Sequence, residues 1–233
     1  MARQYGVDVS GHQSDANWRL FEEEKEFVVV EAYQPGDPSA PPTNGHVNDY
    51  LVRNAQAVRT YQMVLQFYHF PNAAGPADAA AQVGAWMKAL DDAGIPFEGS
   101  MVWFDIEASW SSKENAWVLG PYWPDDPEGN VRFIQALIDA LEDPTTGKPR
   151  CTAGIYTNES SWRLITGSTE QFCGVPLWWS HNGTPPDVPF TRFGGWTSFS
   201  MIQYAQEQGN SDDGLYDLDW YPTTPTTQSS ASE

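Results

Sequence analysis

Positive charge is scarce in this chain: 12 Lys and Arg stand against 31 Asp and Glu, a formal net charge of −19 at pH 7 over 233 residues. Phosphate recognition rests on Lys and Arg, so nucleic acid and anionic membrane are excluded as main partners. No apolar run approaches the ~18 residues of a spanning helix, and no membrane insertion is expected. Cysteine is nearly absent. Cys151 and Cys173 lack the spacing of a four-ligand zinc site, and sequence alone leaves one disulfide and two free thiols equally open. Four histidines, His12, His46, His69 and His181, are scattered with no local pair at ligand spacing, so no metal is expected. The start, Met1 to Gly6, has no apolar signal-peptide core, and export is expected to need another route.

Aromatic residues, by contrast, are abundant: 11 Trp, 10 Tyr and 11 Phe. They suit a large core and also suit carbohydrate, because flat rings stack on the apolar faces of sugars. Strand-like and helix-like segments alternate through the first two-thirds. Strands are expected at Tyr5–Val9, Phe27–Tyr33, Met63–Phe70, Glu98–Glu107 and Ala153–Tyr156. Helices are expected at Ala16–Glu24, Asn48–Arg59, Pro76–Ala93 (entered at Pro76), Pro127–Leu141 and Glu159–Ile165. After Pro176 the pattern becomes Leu177–Ser180, Ser198–Tyr204 and Leu215–Trp220, strands with no room for long helices between them. Five βα units followed by about three strands point to an α/β parallel barrel, whose chemistry sits at the C-terminal strand ends. One barrel domain over residues 1–221 is expected, with Pro222–Glu233 a disordered Pro/Thr/Ser-rich tail or linker.

The segment Met101-Val102-Trp103-Phe104-Asp105-Ile106-Glu107 ends an apolar strand in two carboxylates at i and i+2. Side chains alternate along a strand, so Asp105 and Glu107 point the same way, roughly 6.5–7 Å apart at Cα. Cleaving a glycosidic bond typically uses two cooperating carboxyl groups, and like charges on one face help keep one of them protonated. If the sheet closes, the first and last strands become neighbours. Asp8, with Asp217 and Asp219, then joins Asp105 and Glu107 in one cleft.

These pieces together resemble the family 25 glycoside hydrolases, the Chalaropsis-type lysozymes. The matching segments are Gly6-Val7-Asp8-Val9-Ser10 with Gln13, Phe27–Tyr33, Phe67-Tyr68-His69-Phe70, Asp105-Ile106-Glu107, Tyr156-Thr157 with Trp162, Leu177-Trp178, Gln203-Tyr204 and Asp217-Leu218. They cover about residues 5–221. The resemblance implies a flattened, TIM-like barrel of five βα units plus three strands. It also implies cleavage of the β-1,4 bond between N-acetylmuramic acid and N-acetylglucosamine in bacterial peptidoglycan, by a monomer needing no cofactor. Glu107 would be the general acid. Asp105 would stabilise positive charge and orient the substrate's N-acetyl group, and Asp8 and Asp217 would complete the acidic cluster. Tyr33, Tyr68, Tyr156, Trp178, Gln203 and Tyr204 are expected near the substrate. The implied setting is a phage endolysin or bacterial wall-lytic protein acting on the cell wall.

Two departures stand out. Asp219 occupies the place where the family usually has Asn, leaving open whether it enters the acid cluster or points out of the barrel. Trp179-Ser180-His181-Asn182 lacks a tyrosine often found after the Leu-Trp pair. Two alternative functions remain: a non-catalytic wall-glycan-binding module, and a chitinase-like N-acetylhexosamine hydrolase.

Overall fold

A computed structural model describes residues 5–10, 18–37, 45–75, 77–143, 145–208 and 216–222. The chain runs β1 (Tyr5–Val9), α1 (Trp18–Glu24), β2 (Phe27–Gln34), β3 (His46–Val47), α2 (Leu51–Thr60), β4 (Val64–His69) and α3 (Ala79–Asp92). It continues with β5 (Met101–Asp105), a hairpin of β6 (Ser109–Ser111) and β7 (Ala116–Val118), then α4 (Pro127–Asp139), β8 (Thr152–Thr157) and α5 (Glu159–Thr166). Three strands close the order: β9 (Leu177–Ser180), β10 (Met201–Gln208) and β11 (Tyr216–Trp220). The main sheet has the order β1-β11-β10-β9-β8-β5-β4-β2-β3, and a parallel β1–β2 pairing closes it into an eight-stranded barrel with β3 outside. Only β11 runs antiparallel to its barrel neighbours. The expected α/β barrel of five βα units plus three strands is the fold observed. Among the described residues no helix is long and apolar enough to cross a membrane.

Alternation along the strands divides the apolar residues between two cores. Outward-facing side chains such as Val28, Val30, Phe67, Val102, Phe104 and Ile155 pack with the helices. Inward-facing Phe27, Val29, Trp103, Tyr156, Trp178 and Met201 fill the barrel itself. The fit inside is tight: a Cβ on Gly154 would lie 2.3 Å from the Trp103 ring, so the indole occupies the volume that a β8 side chain would need. Trp103 Nε1 donates to Gln66 Oε1 at 2.8 Å, so this aromatic floor leaves its polar atom satisfied.

Local chemistry sets the helix starts. Asp78 accepts the Ala81 N–H at 2.8 Å and caps α3, so the helix begins at Ala79, three residues later than the proline-entry expectation. Pro76 itself lies outside the described residues, as do His12, Gln13 and the tail after Pro222. Cys151 is buried, Cys173 is exposed, and both are free thiols. Arg150 reaches Asp91 in the last turn of α3 at 3.0 Å and Glu98 at 2.8 Å, tying α3 and the chain after it to the start of β8.

Candidate active site

The same alternation that sends Trp103 inward sends Asp105 and Glu107 to the barrel mouth. Asp8 follows Gly6 on the inner face of β1, and Asp217 lies directly opposite Asp8 across the antiparallel β1–β11 pair. A cavity of about 310 Å³ is lined by Asp8, Glu31, Asp105, Glu107 and Asp217 together with Tyr68, Tyr156, Trp178 and Gln203. Four acids expected from distant stretches therefore share one cleft, and no Lys or Arg lines it among the described residues.

Like charges placed opposite each other on a sheet repel, and Gln203 mediates this contact. Its Nε2 donates to Asp8 Oδ2 at 2.9 Å and to Asp217 Oδ2 at 3.0 Å. Its Oε1 accepts from the Tyr156 hydroxyl at 2.8 Å and from Gln206 Nε2 at 2.9 Å. Both amide hydrogens and both lone pairs are thus used, which fixes the orientation of the group. Tyr156 also interacts with the Glu107 carboxylate. Its single proton can serve Gln203 or Glu107, not both, so the network responds to the ionisation of Glu107.

Burial with no counter-cation among the described lining residues favours the neutral form of each acid. Burial, then the charge of Asp217, pushes the Glu107 carboxyl up to about 7, against the lowering effect of the Tyr156 hydrogen bond. The Asp105 carboxyl is raised well above the usual range by burial, then by Glu107, Glu31 and Asp8. Asp8 is raised in the same way by burial and Asp217. Asp105 Oδ1 is buried with no hydrogen-bond partner among the described residues. The site therefore pairs a half-buried acid, poised to give up a proton near neutral pH, with a deeper carboxyl whose Oδ1 lacks a donor among the described residues.

Asp219 points into the barrel, one layer below Asp217 and level with Gly6. It is fully buried, and its Oδ1 accepts from Trp178 Nε1 at 2.9 Å. Its Oδ2 finds no donor among the described residues, and a proton on one of the two carboxyls lets it bond to Asp8. Burial, then Asp8 and Asp217, pushes its carboxyl well up, favouring that proton.

Of the six residues expected near substrate, Tyr68, Tyr156, Trp178 and Gln203 line the cleft and two do not. The β2–β4 register shifts between Glu31 and Tyr33, so Tyr33 pairs with His69 instead of following Glu31 inward. Its ring sits 4.6 Å from the buried His69 in the outer core. Tyr204 follows the inward-facing Gln203 and so faces outward, its ring 6.4 Å from Tyr5. Burial lowers the His69 ring to about 3, and Trp86 Nε1 donates to its Nδ1 at 3.2 Å, which makes it a neutral core residue. Glu31, outside the expected site residues, also lines the cleft and is held by Asn48. Also outside the expected set is the β6–β7 hairpin, whose Trp110 and Trp117 line a second cavity. Its signal was the repeat Ser-Trp-Ser and Ala-Trp-Val around a polar turn. Among the described residues no group of three or more His, Cys, Asp or Glu side chains has the geometry to hold a metal ion.

A family model described as Lysozyme-like protein 1 matches residues 1–204. The chain is 27% identical over 223 residues to "Probable GH family 25 lysozyme 2" of Dictyostelium discoideum, covering 93% of this chain and 90% of that one. Among solved structures it superposes on a muramidase from Acremonium alcalophilum with a TM-score of 0.67 at 20% identity, over 95% of both chains. It superposes on a bacterial lysozyme from Streptomyces coelicolor with a TM-score of 0.67 at 19% identity, over 95% of this chain and 93% of that one. The chain belongs to the lysozyme-like family, in the GH25 group of glycoside hydrolases.

Proposed function

We propose that the protein hydrolyses bacterial peptidoglycan at the β-1,4 bond between N-acetylmuramic acid and N-acetylglucosamine, with Glu107 as general acid. The observation that carries this reading is the convergence of Asp8, Asp105, Glu107 and Asp217 in one cleft, with the Glu107 carboxyl raised to about 7. The lysozymes and muramidases among its likenesses support the substrate class.

In the reaction Glu107 gives its proton to the bridging oxygen as the bond to C1 breaks, and the leaving sugar departs as an alcohol. Positive charge grows at C1. The carbonyl oxygen of the sugar's own N-acetyl group closes on that carbon, while the unpartnered Asp105 Oδ1 takes a hydrogen bond from the acetamide N–H. The charge growing on the ring supplies the cation that the acids lack and draws Asp105 into its carboxylate form, its own proton passing to solvent, while Tyr156 turns its proton toward the newly formed Glu107 carboxylate. Water, deprotonated by Glu107, attacks C1, releases the acetamido group and restores the acid. Asp8, Asp217 and Gln203 hold the acids in register across the β1–β11 seam.

The test is a turbidity assay on purified walls, with the new reducing ends identified as muramic acid. Glu107→Gln is expected to lower kcat about 10²–10⁴-fold with little change in KM. Intact walls with the parent protein, or equal rates for parent and variant, would refute the reading.

A further inference from the structure

Glu107 and Gln206 line two cavities, the acid cleft and a neighbouring chamber of about 700 Å³. The chamber is walled by Trp110 and Trp117 of the β6–β7 hairpin and by Trp179, His181, Asn182 and Thr191. Its composition differs in kind from the cleft, with Glu107 and Glu159 as the acids and indole rings and small polar groups making up much of the rest. Trp110 and Trp117 pair across the hairpin with ring centroids 5.7 Å apart in an edge-to-face arrangement. Trp110 is 52% exposed, one of three large hydrophobic side chains so open among the described residues. A core role does not explain an indole left in water at the rim of a cavity. A flat face for stacking sugar does.

The direction of the substrate follows from the wall that the two cavities share. A general acid must touch the bridging oxygen, so the two sugars joined by that oxygen lie on either side of Glu107. The sugar that keeps C1 must bring its acetamido group to Asp105, and Asp105 lines only the acid cleft of these two cavities. The leaving sugar therefore lies in the aromatic chamber. That chamber has more than twice the volume of the cleft, room for the glycan to continue past the first leaving sugar. A third cavity of about 340 Å³ meets the acid cleft at Glu31, Gln34 and Phe70 and shares no lining residue with the aromatic chamber.

We propose that the β6–β7 hairpin is a leaving-side glycan clamp: Trp110 and Trp117 stack on the N-acetylhexosamine units that follow the scissile bond, at least two of them. This rests on Glu107 being the general acid, as proposed above. The experiment uses two series of defined muroglycan oligosaccharides, one lengthened beyond the scissile bond on the leaving side and the other on the retained side. In the parent, kcat/KM is expected to rise about tenfold on lengthening the leaving side from one sugar to three. Trp110→Ala/Trp117→Ala is expected to abolish that rise while keeping the gain on the retained side, and Trp110→Tyr is expected to keep most of both. Near-ultraviolet circular dichroism and Tm confirm that the hairpin variants remain folded. Retention of the full leaving-side gain in the double variant, or equal losses on both series, overturns the clamp alone. A parent that cuts no oligosaccharide overturns the muramidase reading and the clamp with it.

Discussion

The acid cleft and the aromatic chamber meet at Glu107 but are made differently. Asp8, Asp105, Tyr156, Trp178, Gln203 and Asp217 come from barrel strands, each fixed by its ladder and by a tightly filled interior. Trp110 and Trp117 come from three-residue strands, and Asn182 and Thr191 from loops beyond the barrel. The proposed chemistry, which depends on placing charge to a fraction of an ångström, sits on the rigid frame, and the proposed recognition of an extended ligand sits on shorter, more variable pieces. The two arms should therefore fail independently.

The strongest blow to the acid arm, after loss of Glu107, is Asp105→Asn. It keeps the shape but removes the charge that faces the acetamido group, and kcat is expected to fall about 10²–10³-fold. The remaining activity should still rise with leaving-side length, measured on the same oligosaccharide series. If the length dependence vanished with Asp105, the two arms would be one unit.

A milder perturbation is pH. As the proposed general acid Glu107 acts only when protonated, so activity is expected to fall about tenfold per unit above the carboxyl value of about 7, with the same slope for short and long substrates. Stability moves in the same direction. The folded chain holds the Glu107 proton up to about pH 7, whereas an ordinary glutamate loses it near 4.5. This contribution is complete below about 4.5 and is lost as pH rises through 7. Glu107→Gln should flatten that part of a Tm-against-pH curve. An unchanged curve would mean that the carboxyl is not held in its neutral form.

The smallest effect is expected from Tyr33→Phe. The ring lies in the outer core against His69, in neither arm, so kcat/KM on either oligosaccharide series should stay within about twofold of the parent. A large loss would return Tyr33 to the substrate side.

Tyr33 also marks where sequence reading reaches its limit. A period of two puts Asp105 and Glu107 on one face, closure of the sheet brings Asp8 beside them, and the family resemblance alone points to Gln203; the structure gathers all four at one cleft. Tyr33 lies beyond a one-residue register shift that no pattern in Phe-Val-Val-Val-Glu-Ala-Tyr announces, and the shift reversed its face. Tyr204 was a different error. It directly follows Gln203 at a register shift in the β10–β11 pair, and its ring packs against the outer core, not in the cleft. The hairpin escaped because three residues are too few to display a period. The direction of the Asp219 side chain is not legible in sequence, since it depends on the antiparallel register with β1, a contact across nearly the whole chain.

That seam has a consequence for how the protein becomes active. The hydrogen bond from Gln203 to Asp8 spans 195 positions in the sequence, and Asp217 comes later still. Contacts so distant pay their loop-closure entropy before they gain anything, and they belong to the slow, late part of assembly. A nascent chain that already carries Asp105 and Glu107 is thus an unfinished tool, lacking the partners that set its proton affinities until its final strand docks beside its first. Hydrolytic power arrives together with completion of the fold.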